Sequence, residues 1–311
     1  MRGTDKPRMD TPLRIGVVGA GVFGGYHAAK CAAHPRVALA GVYDRHPERA
    51  GALADREGVA AFAGLETLIA ASDAVIVACS ATGHAEAGLA ALEAGRHVLV
   101  EKPIAHEITL AERMVATAER AGVVLQVGHQ ERFVASAIGL DHIDEVPTAI
   151  RCWRHGPYSE RGTDVSVALD LMTHDIDLVL WLMGEDPVSV DGEAEAVKSA
   201  TADMAQATLS FAGTTAWLSA SRLSASPERR MEIDYPSGRV DIDFNAKTLV
   251  NSSRHPLVAN FGDDPKAADS LGAATDAFVA AILDGAPVAI TGGMGLRALK
   301  IAIKATGGRI R

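Results

Sequence analysis

An apolar run, Leu13 to Val18, ends in Gly19-Ala20-Gly21-Val22-Phe23-Gly24, after which helical periodicity begins at once and continues through His27 and Cys31. Few local patterns restrict a fold as tightly. The run reads as a buried strand, the glycines as a tight turn, and the following segment as a helix packed on that strand. Gly19 permits the turn, Gly21 leaves room for a ligand to approach the backbone, and Gly24 lets helix and strand come close. The N-terminus of such a helix carries unpaired N–H groups and the positive end of the helix dipole, and so suits an anion. A second apolar run, Val37 to Tyr43, is closed by Asp44, twenty residues after Gly24. A carboxylate at that distance meets the ribose hydroxyls of a dinucleotide whose pyrophosphate rests on the helix. Gly19, Gly21, Val22, Phe23, Gly24, Asp44 and Arg45 are therefore the predicted cofactor contacts. The charge of Asp44 repels a 2′-phosphate, which favours NAD, while Arg45 beside it leaves NADP open.

The alternation of strands and helices continues. Pro47 opens a helix, and Ala74 to Ala78 and Val98 to Val100 are short strands separated by an alanine-rich helix between His84 and Ala94. Thr109 to Ala121 is a helix stopped by Gly122 before the strand Val123 to Val127. This order predicts an α/β fold in which residues 1–128 form a Rossmann domain with a doubly wound parallel sheet. Beyond Gly128 the pattern changes to a strand over Thr148 to His155, a long helix over Val165 to Met183, and apolar–polar alternation over 188–243. Two helices, near 270–284 and 293–306, finish the chain. Residues 129–311 are predicted to be an α/β domain with a mostly antiparallel open sheet, serving substrate binding and oligomerisation. The final helices are candidates to pack back on the first domain. A length of 311 residues fits two domains.

Composition narrows the function. A formal net charge of -9 argues against a general nucleic-acid binder, which needs a basic stripe to neutralise phosphates. The N-terminal MRGTDKPRMDTP lacks the apolar core of a signal peptide, and no run reaches the ~18 apolar residues of a membrane span. The expected location is the cytoplasm, with no membrane partner. Cys31, Cys79 and Cys152 are odd in number and far apart, and read as reduced, buried thiols. No group of His, Cys and acidic residues has metal-site spacing, so no metal is expected.

Three segments carry candidate chemistry. The apolar run that starts at His97 ends in Glu101-Lys102-Pro103. Ligands bind at the C-terminal strand ends of an open parallel sheet, which makes Lys102 a candidate for chemistry. The long helix holds Asp170, His174, Asp175 and Asp177 among Leu169, Leu171, Met172, Ile176 and Leu178. A spacing of four puts Asp170 and His174 on one face, where the carboxylate would orient the imidazole and favour its protonated form, as suits a general base. Arg151, Arg154 and Arg161, with His155 and Asp164 nearby, concentrate positive charge in an acidic chain. That cluster suits a phosphate or diphosphate on the substrate, and equally a solvated loop paired with Glu160 and Asp164.

Gly19 to Gly24, the turn Cys79-Ser80-Ala81-Thr82-Gly83-His84, Glu101-Lys102-Pro103 and Asp170-x-x-x-His174 together resemble the Gfo/Idh/MocA family of NAD(P)-dependent sugar oxidoreductases. The resemblance spans nearly the whole chain. It implies a Rossmann domain followed by an α/β domain whose open sheet often joins subunits, and hence a homodimer or homotetramer. It also implies Lys102, Asp170 and His174 around the carbon that loses hydride, with Ser80, Thr82, His84 and Glu101 on the cofactor side. Thr82-Gly83 stands where many members carry Thr-Pro. Within the family, Val127-Gly128-His129-Gln130-Glu131-Arg132-Phe133, Arg161-Gly162-Thr163-Asp164 and the helix motif look like bacterial nucleotide-sugar 3-dehydrogenases, although the usual Asn-Pro after Phe133 is missing. Those enzymes oxidise UDP-N-acetylglucosamine at C3 ahead of a pyridoxal-phosphate aminotransferase in lipid A biosynthesis. The likeness implies His129, Arg132, Arg151, Arg154, Arg161 and Asp164 as substrate contacts. Two alternatives stay open: a dehydrogenase of inositol or another free sugar, or ketone reductase, of the same family, and a non-catalytic dinucleotide-binding regulator.

Overall fold

A computed structural model describes residues 11–307, so most of the polar N-terminal segment lies outside the described residues. The chain divides into two units, each assembled from separated stretches. The first unit holds the described chain from residue 11 to Glu101, then Leu110–Gly128 and Ala274–Gly292. Lys102–Thr109, His129–Ala273 and residues 293–307 form the second.

In the first unit, β1 (Leu13–Val18), α1 (Val22–Ala33), β2 (Val37–Tyr43), α2 (Pro47–Glu57), α3 (Leu65–Ala71), β3 (Ala74–Val77), α4 (His84–Glu93), β4 (His97–Glu101), α5 (Ile108–Ala121) and β5 (Leu125–Gly128) follow in order. The strands form a parallel five-stranded sheet in the order β2-β1-β3-β4-β5. Ile15, Val17, Val75, Ile76, Val98, Leu99 and Val100 are wholly buried, as a parallel sheet covered on both faces requires of its central strands. The core also takes in Phe278 and Val279, which lie on a helix from near the end of the chain. The boundary predicted at residue 128 is therefore crossed twice. The Lys102–Thr109 segment clusters with the second unit, and most of the helix over 270–283 with the first.

The second unit contains α6 (Glu131–Ile138), β6 (Ala149–His155), α7 (Thr173–Met183), β7 (Ser189–Glu195), β8 (Met204–Ser210), β9 (Thr215–Ser221), β10 (Glu228–Tyr235), β11 (Gly238–Asp243), β12 (Thr248–Asn251) and α8 (Pro265–Ala268). Then follow α9 (Ser270–Leu283), most of which belongs to the first unit, and α10 (Gly292–Ala305). The seven strands are ordered β12-β11-β10-β6-β9-β8-β7 and are antiparallel except for β6 beside β9. Alternation sorts their side chains. In β6, Ile150, Cys152 and Arg154 are buried on the face that α7 covers, while Arg151, Trp153 and His155 lie half-buried on the other. The helix expected over 165–183 begins instead with a π-helical segment, Ala168–Met172, before α7. All three cysteines are free; Cys31 and Cys152 are buried and Cys79 is half-buried.

Candidate active site

The three glycines of the first turn do three different things. Gly19 has φ +101°, and a side chain there would press within 2.6 Å of the Cys79 backbone nitrogen. A methyl group on Gly24 would collide with the Gly19 carbonyl oxygen, so α1 can lie this close to β1 only with hydrogen there. Gly21, in contrast, has no atom within 4 Å of where a Cβ would stand. Its exposed backbone opens α1, whose first turn carries no acidic side chain and no side-chain cap. Open space at the N-terminus of a helix is what a pyrophosphate needs. Asp44 spends part of its capacity on this loop, since Oδ2 accepts from the Ala20 N–H at 2.7 Å and Oδ1 from the His46 N–H at 2.9 Å. Its remaining lone pairs are those available to ribose hydroxyls. Val22 and Arg45 are exposed, and Phe23 lies edge-on to Tyr26. The residues present fit a bound dinucleotide.

Ser80 and Thr82 are exposed on the turn that leads into α4, with their hydroxyls 3.5 Å apart. His84 is not available in the same way. It is buried, with Nε2 3.2 Å from the Cys79 carbonyl oxygen, and so ties down the turn. Glu101 is also buried; its Oε1 lies 2.8 Å from His27 Nε2 and packs over Gly128, where a Cβ would stand 2.9 Å from it. The carboxylate holds the end of β4 and the middle of α1 together within the first unit.

Lys102 donates from Nζ to the Asp170 carbonyl oxygen at 2.6 Å and to Oδ1 at 3.0 Å. The ammonium is 14% exposed and the carboxylate 25%, so the pair is shielded without being sealed. Asp170 thus serves Lys102, whereas the helical spacing predicted that it would orient His174. Asp170 lies in the π-helical segment and His174 in α7, and the Asp170 carboxylate is taken by the ammonium. The imidazole of His174 instead stands edge-on to that of His129, with ring centroids 6.3 Å apart at 90°. His174 Nδ1 is buried with no hydrogen-bond partner among the described residues.

Charge at this histidine also differs from the expectation. Burial, then the charges of Lys102 and Arg154, hold the His174 imidazole well below the usual histidine range. It is therefore neutral at neutral pH, not protonated as an adjacent carboxylate would have made it. A neutral imidazole beside a fixed ammonium is a proton acceptor next to a hydrogen-bond donor.

Three of the predicted substrate cations are taken by internal partners. Arg154 is buried and binds Asp175 through Nε and Nη2, at 3.0 Å and 2.8 Å, and Glu131 through Nη1 at 3.1 Å. Arg132 clamps Asp177 with two bonds of 2.7 Å. Arg151 binds Asp234 at 2.8 Å on the opposite face of the sheet from Arg154. Buried charges need partners, and these carboxylates supply them. The pairs of Arg154 and Arg132 tie α6, α7 and β6 together, and that of Arg151 joins β6 to β10. His129 is buried as well, and only Arg161 and Asp164 among the predicted substrate contacts are exposed, on the turn after Tyr158. Gly162 between them, at φ +78°, was not foreseen; a Cβ there would stand 2.9 Å from Asp170 Cγ. Its position between two predicted contacts was the available signal.

Two family models match the chain. One, for an oxidoreductase family with an NAD-binding Rossmann fold, covers residues 13–129, and a Gfo/Idh/MocA C-terminal domain covers 143–241. UDP-N-acetylglucosamine 3-dehydrogenase of Acidithiobacillus ferrooxidans is 34% identical over 94% of this chain and 96% of its own length. The solved structure of that enzyme, GnnA, superposes with a TM-score of 0.87 at 33% identity, covering 96% of this chain and 99% of the other. Myo-inositol 2-dehydrogenase of Thermotoga maritima is 27% identical over 76% of this chain and 77% of its own. GenD2 from gentamicin A biosynthesis, solved in complex with NAD, shares the fold at a TM-score of 0.81 and 23% identity, over 99% of this chain and 96% of that one. With its glycine turn and its Lys102–Asp170 pair in place, the chain belongs to the Gfo/Idh/MocA family of NAD-binding oxidoreductases.

Proposed function

We propose that this protein oxidises a secondary alcohol of a sugar to a ketone, acting on a nucleotide sugar such as UDP-N-acetylglucosamine at C3. The observation that carries the reading is the buried imidazole of His174, its Nδ1 without a hydrogen-bond partner among the described residues, in the same unit as the Lys102–Asp170 pair. Bound NAD supplies the hydride acceptor. His174 takes the hydroxyl proton as the C–H bond breaks, and the carbonyl forms from the C–O bond. Lys102 donates a hydrogen bond to that oxygen and stabilises the negative charge developing there, a contribution worth about 10²–10³ in rate. Asp170 keeps the ammonium in place. The likeness to UDP-N-acetylglucosamine 3-dehydrogenase over nearly the full chain supports the substrate class. Its ketone would suit a pyridoxal-phosphate aminotransferase making an amino sugar for lipid A, in the cytoplasm.

A second reading, a polyol or inositol dehydrogenase, is favoured by one observation. Arg151 and Arg154 are committed to internal carboxylates, which removes two of the three arginines in the cluster that suggested a diphosphate. A non-catalytic sensor fits poorly, because it has no need of a proton acceptor set beside a clamped ammonium.

The protein is further proposed to be a homodimer or homotetramer joined through the open face of the second sheet. That face presents Trp153 edge-on to Trp217 at 5.6 Å, with Arg230 over Trp153 at 5.5 Å and a network of Arg151, Arg230 and Arg239 against Glu232, Asp234 and Asp241. Incubation with NAD and, separately, UDP-N-acetylglucosamine, free N-acetylglucosamine and myo-inositol, followed by absorbance of the reduced nicotinamide, tests the substrate. Turnover confined to the UDP-sugar is expected. Turnover of myo-inositol alone would transfer the assignment to the second reading.

A further inference from the structure

One buried cation of the second unit has no partner in the site so far described. Arg222 follows the last residue of β9 and is 4% exposed. Its Nη1 donates to the Gly162 carbonyl and its Nη2 to the Val165 carbonyl, both at 3.1 Å. It stands 3.9 Å from Asp203 Oδ1, and its backbone N–H donates to the Asp203 carbonyl at 3.0 Å. Asp203 is itself wholly buried, and its Oδ2 gathers the N–H groups of Val197, Lys198 and Ser199 at 2.9, 2.6 and 2.8 Å. The loop folded in this way sends the Thr201 hydroxyl, at 3.0 Å, to the carbonyls of Thr163 and Val165. The carbonyls of the turn after Glu160 are thus gripped from two sides.

What this turn touches is Asp170. Gly162 packs on the carboxylate so closely that a Cβ would fall 2.9 Å from Cγ, while Oδ1 of the same carboxylate accepts from Lys102 at 3.0 Å. The carboxylate therefore has the turn as a wall on one side and the ammonium on the other. A planar guanidinium presents its donors in a rigid fork that fixes the spacing of two carbonyls, whereas an ammonium on a flexible stem sets no such spacing.

We infer that Arg222 is a positioning residue: by bridging the Gly162 and Val165 carbonyls it holds Gly162 against the Asp170 carboxylate and so fixes the Lys102–Asp170 pair. The inference deepens the reading of Lys102 as the group that binds the reacting oxygen, and rests on it for its catalytic consequence. Arg222 acts through the turn and touches no substrate. Its role in the geometry stands apart from any turnover.

The test compares wild type with Arg222→Lys, Arg222→Met and Thr201→Val. Acetylation of Lys102 by acetic anhydride is followed by peptide mass spectrometry, with the exposed Lys304 as internal standard. Lys102 is expected to react several-fold faster in Arg222→Lys and, to a smaller extent, in Thr201→Val. On the sugar substrate, kcat should fall about 10–100-fold in Arg222→Lys, the loss expected for misplacement near 1 Å, with NAD affinity unchanged. A purely structural role would lower the melting temperature with Lys102 reactivity and the kcat-to-KM balance unmoved. Unchanged Lys102 labelling in folded Arg222→Lys and Thr201→Val overturns the inference. If wild type turns over no sugar, the functional reading fails while the labelling still decides the placement. Should Arg222→Met not fold, Thr201→Val, which removes one hydroxyl, decides it.

Discussion

Replacing Arg154 by Met removes a buried cation and leaves Asp175 and Glu131 facing one another without it. Both partners are shielded: Asp175 is 4% exposed and Glu131 15% at the side chain. Breaking a buried ion pair by deleting one member costs about 3–5 kcal/mol, far more than loss of a surface pair. At about 2–4 °C per kcal/mol for a domain of this size, the unfolding midpoint of the second unit should drop by about 6–20 °C. The same change withdraws one of the charges that hold His174 below its usual range. The acid limb of the pH–rate profile should therefore move upward. Calorimetry, which resolves two transitions if the units unfold separately, gives the first quantity, and initial rates between pH 4 and pH 8 give the second. Arg154→Met combined with Asp175→Leu should regain much of the lost stability, because removing both charges leaves fewer unpaired groups than removing one. A single variant that melts within about 2 °C of wild type would refute the reasoning, since no buried charge could then have been stranded.

The depressed His174 also fixes the sign of a pH dependence. The unfolded chain takes up a proton near pH 6.5 and the native imidazole only well below it, so stability should fall as pH drops under about 6.5, and activity should persist through that value; chemical denaturation at pH 7.5 and pH 5 reads the difference. Gly21→Val and Gly24→Ala should separate two jobs of one turn: the first fills open space and weakens NAD binding at least about tenfold with little change in melting, whereas the second strikes the Gly19 carbonyl and lowers the melting point itself. Isothermal titration and calorimetry on both variants check this. Phe278→Ala should destabilise the first unit by about 3–5 kcal/mol, although residue 278 lies far along the chain from the strands it supports, and denaturant titration would show it.

The glycine turn, Asp44 and the parallel sheet were legible because each is dictated by contacts within some thirty residues, where backbone geometry and spacing decide the outcome. The site was legible by residue type and only partly by pairing. A spacing of four sets Asp170 and His174 on one face but does not say which group the carboxylate serves, and the choice of Lys102, 68 residues earlier in the chain, has no local signature. Arg154 shares its strand face with Ile150 and Cys152, so alternation alone marks it as buried and in need of a carboxylate. Which carboxylates come to it depends on α6 and α7, and a tertiary pairing of that kind has no local signature. That one of the final helices joins the first unit was a reading the sequence offered, but its alanine-rich sequence fits many apolar surfaces and did not say that α9, rather than α10, would do so.

The crossing of the chain between its two units bears on modularity. A fragment cut at residue 128 would keep all five parallel strands yet lose Phe278 and Val279 from its core, and would retain Lys102 without Asp170. The complementary fragment would carry a clamp with nothing to hold. Neither half is a portable cassette, so exchange of substrate preference between relatives by a single splice at this point would break both a core and the Lys102–Asp170 ion pair. Recombination that preserves function must transfer Lys102–Thr109 together with the second sheet, and α9 together with the first.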